Sequence, residues 1–418
     1  MQTTAAPRVG LACLLLVVST VAWRRGDVFE GSLDPVVVGK ALCSVVALLL
    51  ALFAAPRGAA RYRLGTGSLW FLGIVLVASL LGAHAYGTSV PSIAIAVRVT
   101  VLAATVVLLL RAAPAFQLLR AVVASCGLVA AVAALTGLPD LAGGRIAGGI
   151  PPLHPNGLAL LAGVVVVWAA WRTVLGEARW LDALLGGGFL ALMWLTGSRT
   201  GFLVLVLAVL VMVLHIRRIR VGLVVGALVA AAAGAVTVVT TGAVRDFLTR
   251  DGTGTGTLES RFVAWTAAQS WAESWWQWTF GGGLSVKYIP VPNQWWDEQL
   301  LDSSWVSALV QTGLLGLGVT MAWALWALVG SVRAPRPHRV LFLGLLTFIL
   351  GRSLLESGLV EATPEFLLFL AVALLAEGGS RARLRAEADL PATLPPNVDE
   401  PGAARALVLA PAGPPSAG

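Results

Sequence analysis

Charged side chains are scarce in this chain: Asp, Glu, Lys and Arg make up 12% of its 418 residues, against 58% hydrophobic. A soluble globular protein of this length covers itself with far more polar surface, so a water-soluble fold is excluded. Alternating strand-like segments of about ten residues are missing too, and with them an outer-membrane β-barrel. Only three cysteines occur. Cys13, Cys43 and Cys126 each lie alone in an apolar stretch, with no CxxC pair and no neighbouring histidine, so they read as small core residues and not as disulfides or metal ligands. The formal charge of +8 does not point to nucleic acid, because the basic residues are scattered through short connections and are not interleaved with aromatics on one polar face.

What the chain has instead is apolar length. Runs of roughly 18 or more apolar residues, enough to cross about 30 Å of hydrocarbon, follow one another along most of it. Candidate spans fall near 9–23, 35–55, 67–85, 91–110, 115–136, 153–171, 180–197, 200–216, 219–241, 303–331, 338–355 and 362–377. A backbone in lipid must satisfy its own polar groups, and continuous Leu/Val/Ala blocks do so as helices. The expected fold is all-α, a polytopic transmembrane bundle of about twelve spans. The first run follows Arg8 and shows no small-residue cleavage site before Arg24, so it reads as a retained anchor.

The basic residues encode an orientation. One set of alternate connections carries seventeen, from Arg8 through Arg57, Arg111, Arg172, Arg217 and Arg333 to Arg385; the other carries nine, although it includes the longest connection. The richer set is expected in the cytoplasm, with both termini. The chain then divides into spans one to nine (1–241), an extracytoplasmic loop (242–302), the last three spans (303–377) and a disordered cytoplasmic tail (378–418), rich in Arg, Ala and Pro, to which no chemistry is assigned. The long loop holds seven of the sixteen tryptophans, and apolar residues recur at helical spacing through RFVAWTAAQSWAESWWQWTF, which predicts an interfacial helix with indoles at headgroup depth.

The outward connections keep some arginines against this bias. In LTGSRTGFLVLVL, Arg199 lies between two apolar runs with Ser198 and Thr200 beside it. A guanidinium offers a permanently charged planar fork that suits bidentate contact with phosphate oxygens, although a snorkelling or helix-capping arginine would occupy the same place. Arg145, Arg261 and Arg352 also fall on the outward side and can converge with it on an anion. Arg98, inside the fourth span, calls for a polar cavity or a partner carboxylate, since a membrane arginine costs at least about 2.5 kcal/mol on insertion scales.

Four motifs carry a resemblance. RIAGGIPPLHPNGLA precedes the sixth span, GSRTGFL joins the seventh and eighth, ESRFVAWTAA leads to FGGG in the long loop, and LDSSWVSALVQTGLLGLG enters the tenth span. In order and placement they resemble the O-antigen ligase and polymerase-like membrane glycosyltransferases of bacterial surface polysaccharide assembly. The resemblance implies an enzyme of the bacterial cytoplasmic membrane that transfers or polymerises an undecaprenyl-pyrophosphate-linked glycan onto a glycan or cell-envelope acceptor hydroxyl at the outer face. It implies no nucleotide sugar, no cofactor and no required metal. Arg199 and Arg261 fall where the family's arginines engage the pyrophosphate, whose developing charge fixed cations stabilise. Arg145, Asn156, Ser198, Arg352 and Glu356 are the accompanying substrate-binding candidates.

Where ligases usually carry His-Asn, this chain has Asp302-Ser303, as in polymerase-type members. Asp302 is the candidate proton acceptor, a carboxylate whose pKa a partly buried setting raises toward working pH. Capping of the tenth helix is its alternative role. Glu356, Glu361, Glu365 and His154 are further candidate bases. A secondary transporter is the rival reading of twelve spans with charged residues, but transporters place ionisable groups at the bilayer midplane on repeat-related broken helices; here the charges gather in outer loops and no duplicated half is visible.

Overall fold

The computed structural model of the chain describes residues 5–24, 34–55, 63–215, 256–291 and 298–389. The ninth expected span, the loop arginines Arg245 and Arg250, and the tail beyond residue 389 lie outside them. The described chain is helical almost throughout. Eight helices come first: α1 (Ala5–Thr20), α2 (Pro35–Ala54), α3 (Gly67–Tyr86), α4 (Ser89–Ala112), α5 (Ala115–Thr136), α6 (Pro155–Leu175), α7 (Trp180–Thr196) and α8 (Arg199–Leu214). Two short helices, α9 (Gly256–Gln269) and α10 (Trp275–Phe280), and a hairpin of β1 (Tyr288–Pro290) with β2 (Glu298–Leu300) follow; then α11 (Ser304–Val332), α12 (Arg336–Ser353), α13 (Pro364–Ala376) and α14 (Arg381–Asp389).

Each expected span other than the ninth coincides with one of these helices. Among the described residues, six are long and apolar enough to cross a membrane, namely α2 to α6 and α11; α1, α7, α8 and α13 are apolar but shorter. Their ends follow local chemistry. Asp34 accepts the Val37 amide at 2.8 Å ahead of Pro35 at the start of α2, and left-handed glycines Gly87, Gly176 and Gly197 close α3, α6 and α7. Large apolar side chains stand exposed on the outer faces of α2 (Leu42, Phe53), α7 (Trp180, Leu184) and α8 (Leu203, Leu214), as expected of surface that meets lipid. The centre of the bundle is α13, buried from Phe366 to Ala376 on every side. At thirteen residues it is about 20 Å long, shorter than the hydrocarbon core of a bilayer.

The structure departs from the sequence expectations in several places. The single helix expected over 261–280 breaks in two, because Ser274 accepts the Gln277 amide and starts α10 afresh while the Gln277 side chain takes the Glu273 amide. A short antiparallel hairpin was not foreseen; Tyr288 pairs with Leu300 and Pro290 with Glu298. The tail expected to be disordered from residue 378 is structured to 389. Glu377, just ahead of it, accepts the Gly67 and Ser68 amides that open α3, Arg383 donates to the carbonyls of Leu110 and Ala113 that end α4, and Glu387 accepts the Ala115 amide that opens α5. These groups cap three helices at one end of the bundle, which is why a polar segment there is ordered. Finally, Arg98, for which a polar cavity or a carboxylate is the sequence expectation, donates among the described residues to the carbonyl of Ser19 in the last turn of α1, where a helix leaves its carbonyls unmet.

Helix α11 is also not continuous. Gly313 adopts φ +67, ψ −171 inside it, a region open only to glycine, and kinks the helix. The FGGG segment fills the break: Gly282 N donates to Val310 O at 2.8 Å and Gly283 N to Gln311 O at 3.0 Å, carbonyls that an unbroken helix would use internally. A methyl group on Gly281 or Gly313 would come within 2.5 Å of the opposing backbone. Trp276 Nε1 donates to Leu81 O, and Trp271 meets Tyr86 in a tilted ring contact at 5.3 Å, docking the same loop on the end of α3.

Candidate active site

A small second core fixes the loop over the bundle. Ala264 and Ala268, one turn apart on α9, pack with Val286, Ile289, Val291 and Leu301 of the hairpin region and Val310 of α11. Arg261 lies one turn before Ala264 and is carried to the hairpin's base, where Leu301 leads into Asp302. The first turn of α11 then holds the connection between α12 and α13: Ser304 N and Oγ both donate to Glu356 O, at 3.1 and 2.8 Å, and Ser304 Oγ accepts the Leu359 amide. This brings Glu356 to the same place.

Arg261 stands between two carboxylates. Its Nη2 lies 3.2 Å from Glu356 Oε1 and its Nε 3.6 Å from Asp302 Oδ2, with the three side chains 16%, 22% and 29% exposed. Asn156 Nδ2 donates to the same Glu356 oxygen at 2.6 Å. Behind it Arg352, only 2% exposed, donates from Nη2 to Asn156 O at 2.9 Å and faces Glu365 Oε1 at 4.0 Å. One polar chain therefore runs from Glu365 through Arg352, Asn156 and Glu356 to Arg261 and Asp302. It sets three carboxylates against two guanidiniums. Burial pushes the Asp302 carboxyl above its ordinary value; Arg261 alongside opposes this and Glu356 reinforces it. In its deprotonated form such a carboxylate can accept a proton from a hydroxyl.

The α7–α8 turn joins the group from the other side. Gly197 is left-handed at φ +63, Ser198 is buried, and Arg199 opens α8 without a side-chain cap from Ser198, so the first amides of the helix point the same way as an anion-binding terminus. Arg145 shapes this turn: its Nε donates to Thr196 O at 2.8 Å and its stem covers Gly197, while Ile146 N donates to Leu195 O. Arg352 Nη1 lies 3.1 Å from where a Cβ on Gly201 would sit, so the glycine lets α8 approach Arg352 closely.

The structure thus brings Arg261, Asp302, Glu356, Asn156 and Arg352 into one network, with Ser198 and Arg145 at its edge beside Arg199. Arg352 lies behind the site, where its burial suits support of Asn156 more than contact with a substrate. The other candidate bases are engaged: Glu365 faces Arg352, Glu361 meets Lys287 at 2.6 Å, and His154 Nδ1 accepts the Asn156 amide as the N-cap of α6. Among the described residues no three His, Cys, Asp or Glu side chains gather as metal ligands would. Sequence reasoning missed Lys287 and Ser304, whose roles depend on contacts across more than fifty residues; the Ser-Ser pair after Asp302 was the only local signal.

The geometry can be set beside known proteins. No curated protein matches the chain. A family model described as O-antigen ligase matches residues 183–321, from α7 through the loop to the kink of α11 and beyond. That segment holds Ser198, Arg199, Arg261 and Asp302, and through it the chain is O-antigen ligase-like.

Proposed function

We propose that the protein transfers or polymerises an undecaprenyl-pyrophosphate-linked glycan onto an acceptor hydroxyl at the outer face of the bacterial cytoplasmic membrane. The observation that carries this reading is the single guanidinium of Arg261 shared by Asp302 and Glu356, of which Arg261 and Asp302 lie within the segment that matches the ligase family. In this reading Asp302 takes the proton of the acceptor hydroxyl as its oxygen bonds to the anomeric carbon. The bond from that carbon to the diphosphate oxygen breaks, and the lipid diphosphate leaves with the electron pair. Arg199 and Arg261 receive the charge that develops on it, Arg261 exchanging its 3.6 Å contact with Asp302 for a phosphate oxygen. Asn156 orients Glu356, and Glu356 orients Arg261. A single displacement of this kind inverts the anomeric centre.

Twelve spans, cytoplasmic termini and an outward loop over 242–302 belong to the same proposal. It is supported by the gathering of every candidate residue at one end of the helices, the end opposite the arginine-rich cap made by α14. The acceptor is a growing glycan or another cell-envelope hydroxyl.

Transfer is measured in membranes supplied with undecaprenyl-pyrophosphate-linked glycan at matched expression. Asp302→Asn keeps the shape but loses most basicity, and turnover is expected to fall by about 10²-fold or more. Glu356→Gln is expected to raise the donor KM through a loosened Arg261. Near-normal turnover by Asp302→Asn would remove that residue from the mechanism.

A further inference from the structure

Beside the Arg261 network stands a second charged pair for which the proposed chemistry has no direct use. Lys287 Nζ lies 2.6 Å from Glu361 Oε1, with both side chains 16% exposed. Gln311 Nε2 approaches the same oxygen at 3.3 Å while donating to Val286 O at 2.9 Å. Burying two ions costs several kcal/mol per ion in desolvation, so such a pair is poor evidence of stability on its own account, and what it connects becomes the question.

It connects the two pieces that carry the site's carboxylates. Lys287 immediately precedes β1, and its carbonyl accepts the Leu301 amide at 3.0 Å, so Lys287 and Asp302, the residue after Leu301, sit at the same end of the hairpin. Glu361 lies on the α12–α13 turn, five residues after Glu356. That turn is internally braced, with Thr363 Oγ1 donating to Gly358 O and the Glu361 amide donating to the same carbonyl. The hairpin base thus carries Asp302 and Lys287, the turn carries Glu356 and Glu361, and the two are joined at Lys287–Glu361.

We propose that Lys287 and Glu361 form a positioning pair, which sets the spacing between hairpin base and turn so that Asp302 and Glu356 meet on the one guanidinium of Arg261. Neither residue touches the reacting atoms. The inference rests on the reading of Asp302 as proton acceptor, and its force comes from geometry: a displacement of about 1 Å at reacting groups costs on the order of 10²-fold in rate.

The test uses the full-length chain in membranes, with undecaprenyl-pyrophosphate-linked glycan as donor and expression and thermal midpoint measured for every variant. Lys287→Met is expected to lower kcat by about tenfold or more while the donor KM stays within about twofold. The reciprocal exchange Lys287→Glu with Glu361→Lys restores the attraction and is expected to recover most of that loss. A kcat within twofold of wild type for Lys287→Met would overturn the proposal. So would a raised KM with kcat kept, which would make Lys287 a substrate contact, or an exchanged variant that is well folded yet as slow as Lys287→Met. Absence of any transfer by the wild type would remove both this inference and the functional reading; wild-type transfer matched by Lys287→Met would remove this inference alone.

Discussion

At the scale of single residues, the account turns on how one guanidinium and one carboxyl divide the work. Asp302 acts only when deprotonated, and its pKa is raised, chiefly by burial. Activity should therefore rise with pH through a value above the ordinary carboxylate range, and kcat measured against pH in wild-type membranes should show that acid limb. Asp302→Asn should lose the limb along with most of the rate; an unchanged limb in the variant would assign it to another group. Arg199 makes a different prediction, because it opens α8 where a phosphate needs two parallel donors and not merely a charge. Arg199→Lys should express normally but lose most surface glycan when it replaces the native gene. Wild-type glycan levels would make Arg199 a topology or capping residue. In the sequence Arg199 stands out by residue type and placement, and Asp302 through its place in the family resemblance. Lys287 was not, since nothing local distinguishes it from a solvated lysine until Glu361 arrives from 74 positions further along the chain.

At the scale of elements, the helices were legible because an apolar run in lipid has essentially one solution, the helix. The breaks in that pattern were not. QTGLLGLG reads as uninterrupted helix, and only the arrival of FGGG explains why Gly313 leaves it. Gly313→Ala would put a side chain into a backbone region that costs roughly 1 to 3 kcal/mol and within 2.3 Å of Thr279. It should lower the thermal midpoint in detergent and uncouple the loop from α11, with loss of transfer. Gly318→Ala, in the same helix with open space around it, should do neither. Equal behaviour of the two would contradict the docking of FGGG into the kink. The segment after α13 was misread for a related reason. Arg383 and Glu387 look like solvated charges in sequence, but their partners are the helix ends of α4 and α5 some 270 residues earlier.

At the scale of the whole molecule, the helices divide the polar groups between two ends. One end carries the caps made by Glu377, Arg383 and Glu387; the other carries Arg145, Arg199, Arg261, Asp302 and Glu356, beneath a loop with its own small core. A transporter reading would need charged groups along a path through the bundle, whereas the centre, α13, is apolar from Phe366 onward. Transfer at one face is the central claim, and one measurement bears on it most directly: the amount, length and leaflet of lipid-linked glycan in cells lacking the gene, complemented with wild type or with Arg261→Ala. Accessibility to an impermeant lectin on spheroplasts reports the leaflet. The account predicts that without a working copy undecaprenyl-pyrophosphate-linked glycan accumulates on the outer leaflet while transferred or lengthened surface glycan is lost, and that Arg261→Ala behaves as the deletion. Accumulation on the inner leaflet, or an unaltered surface glycan, would contradict it.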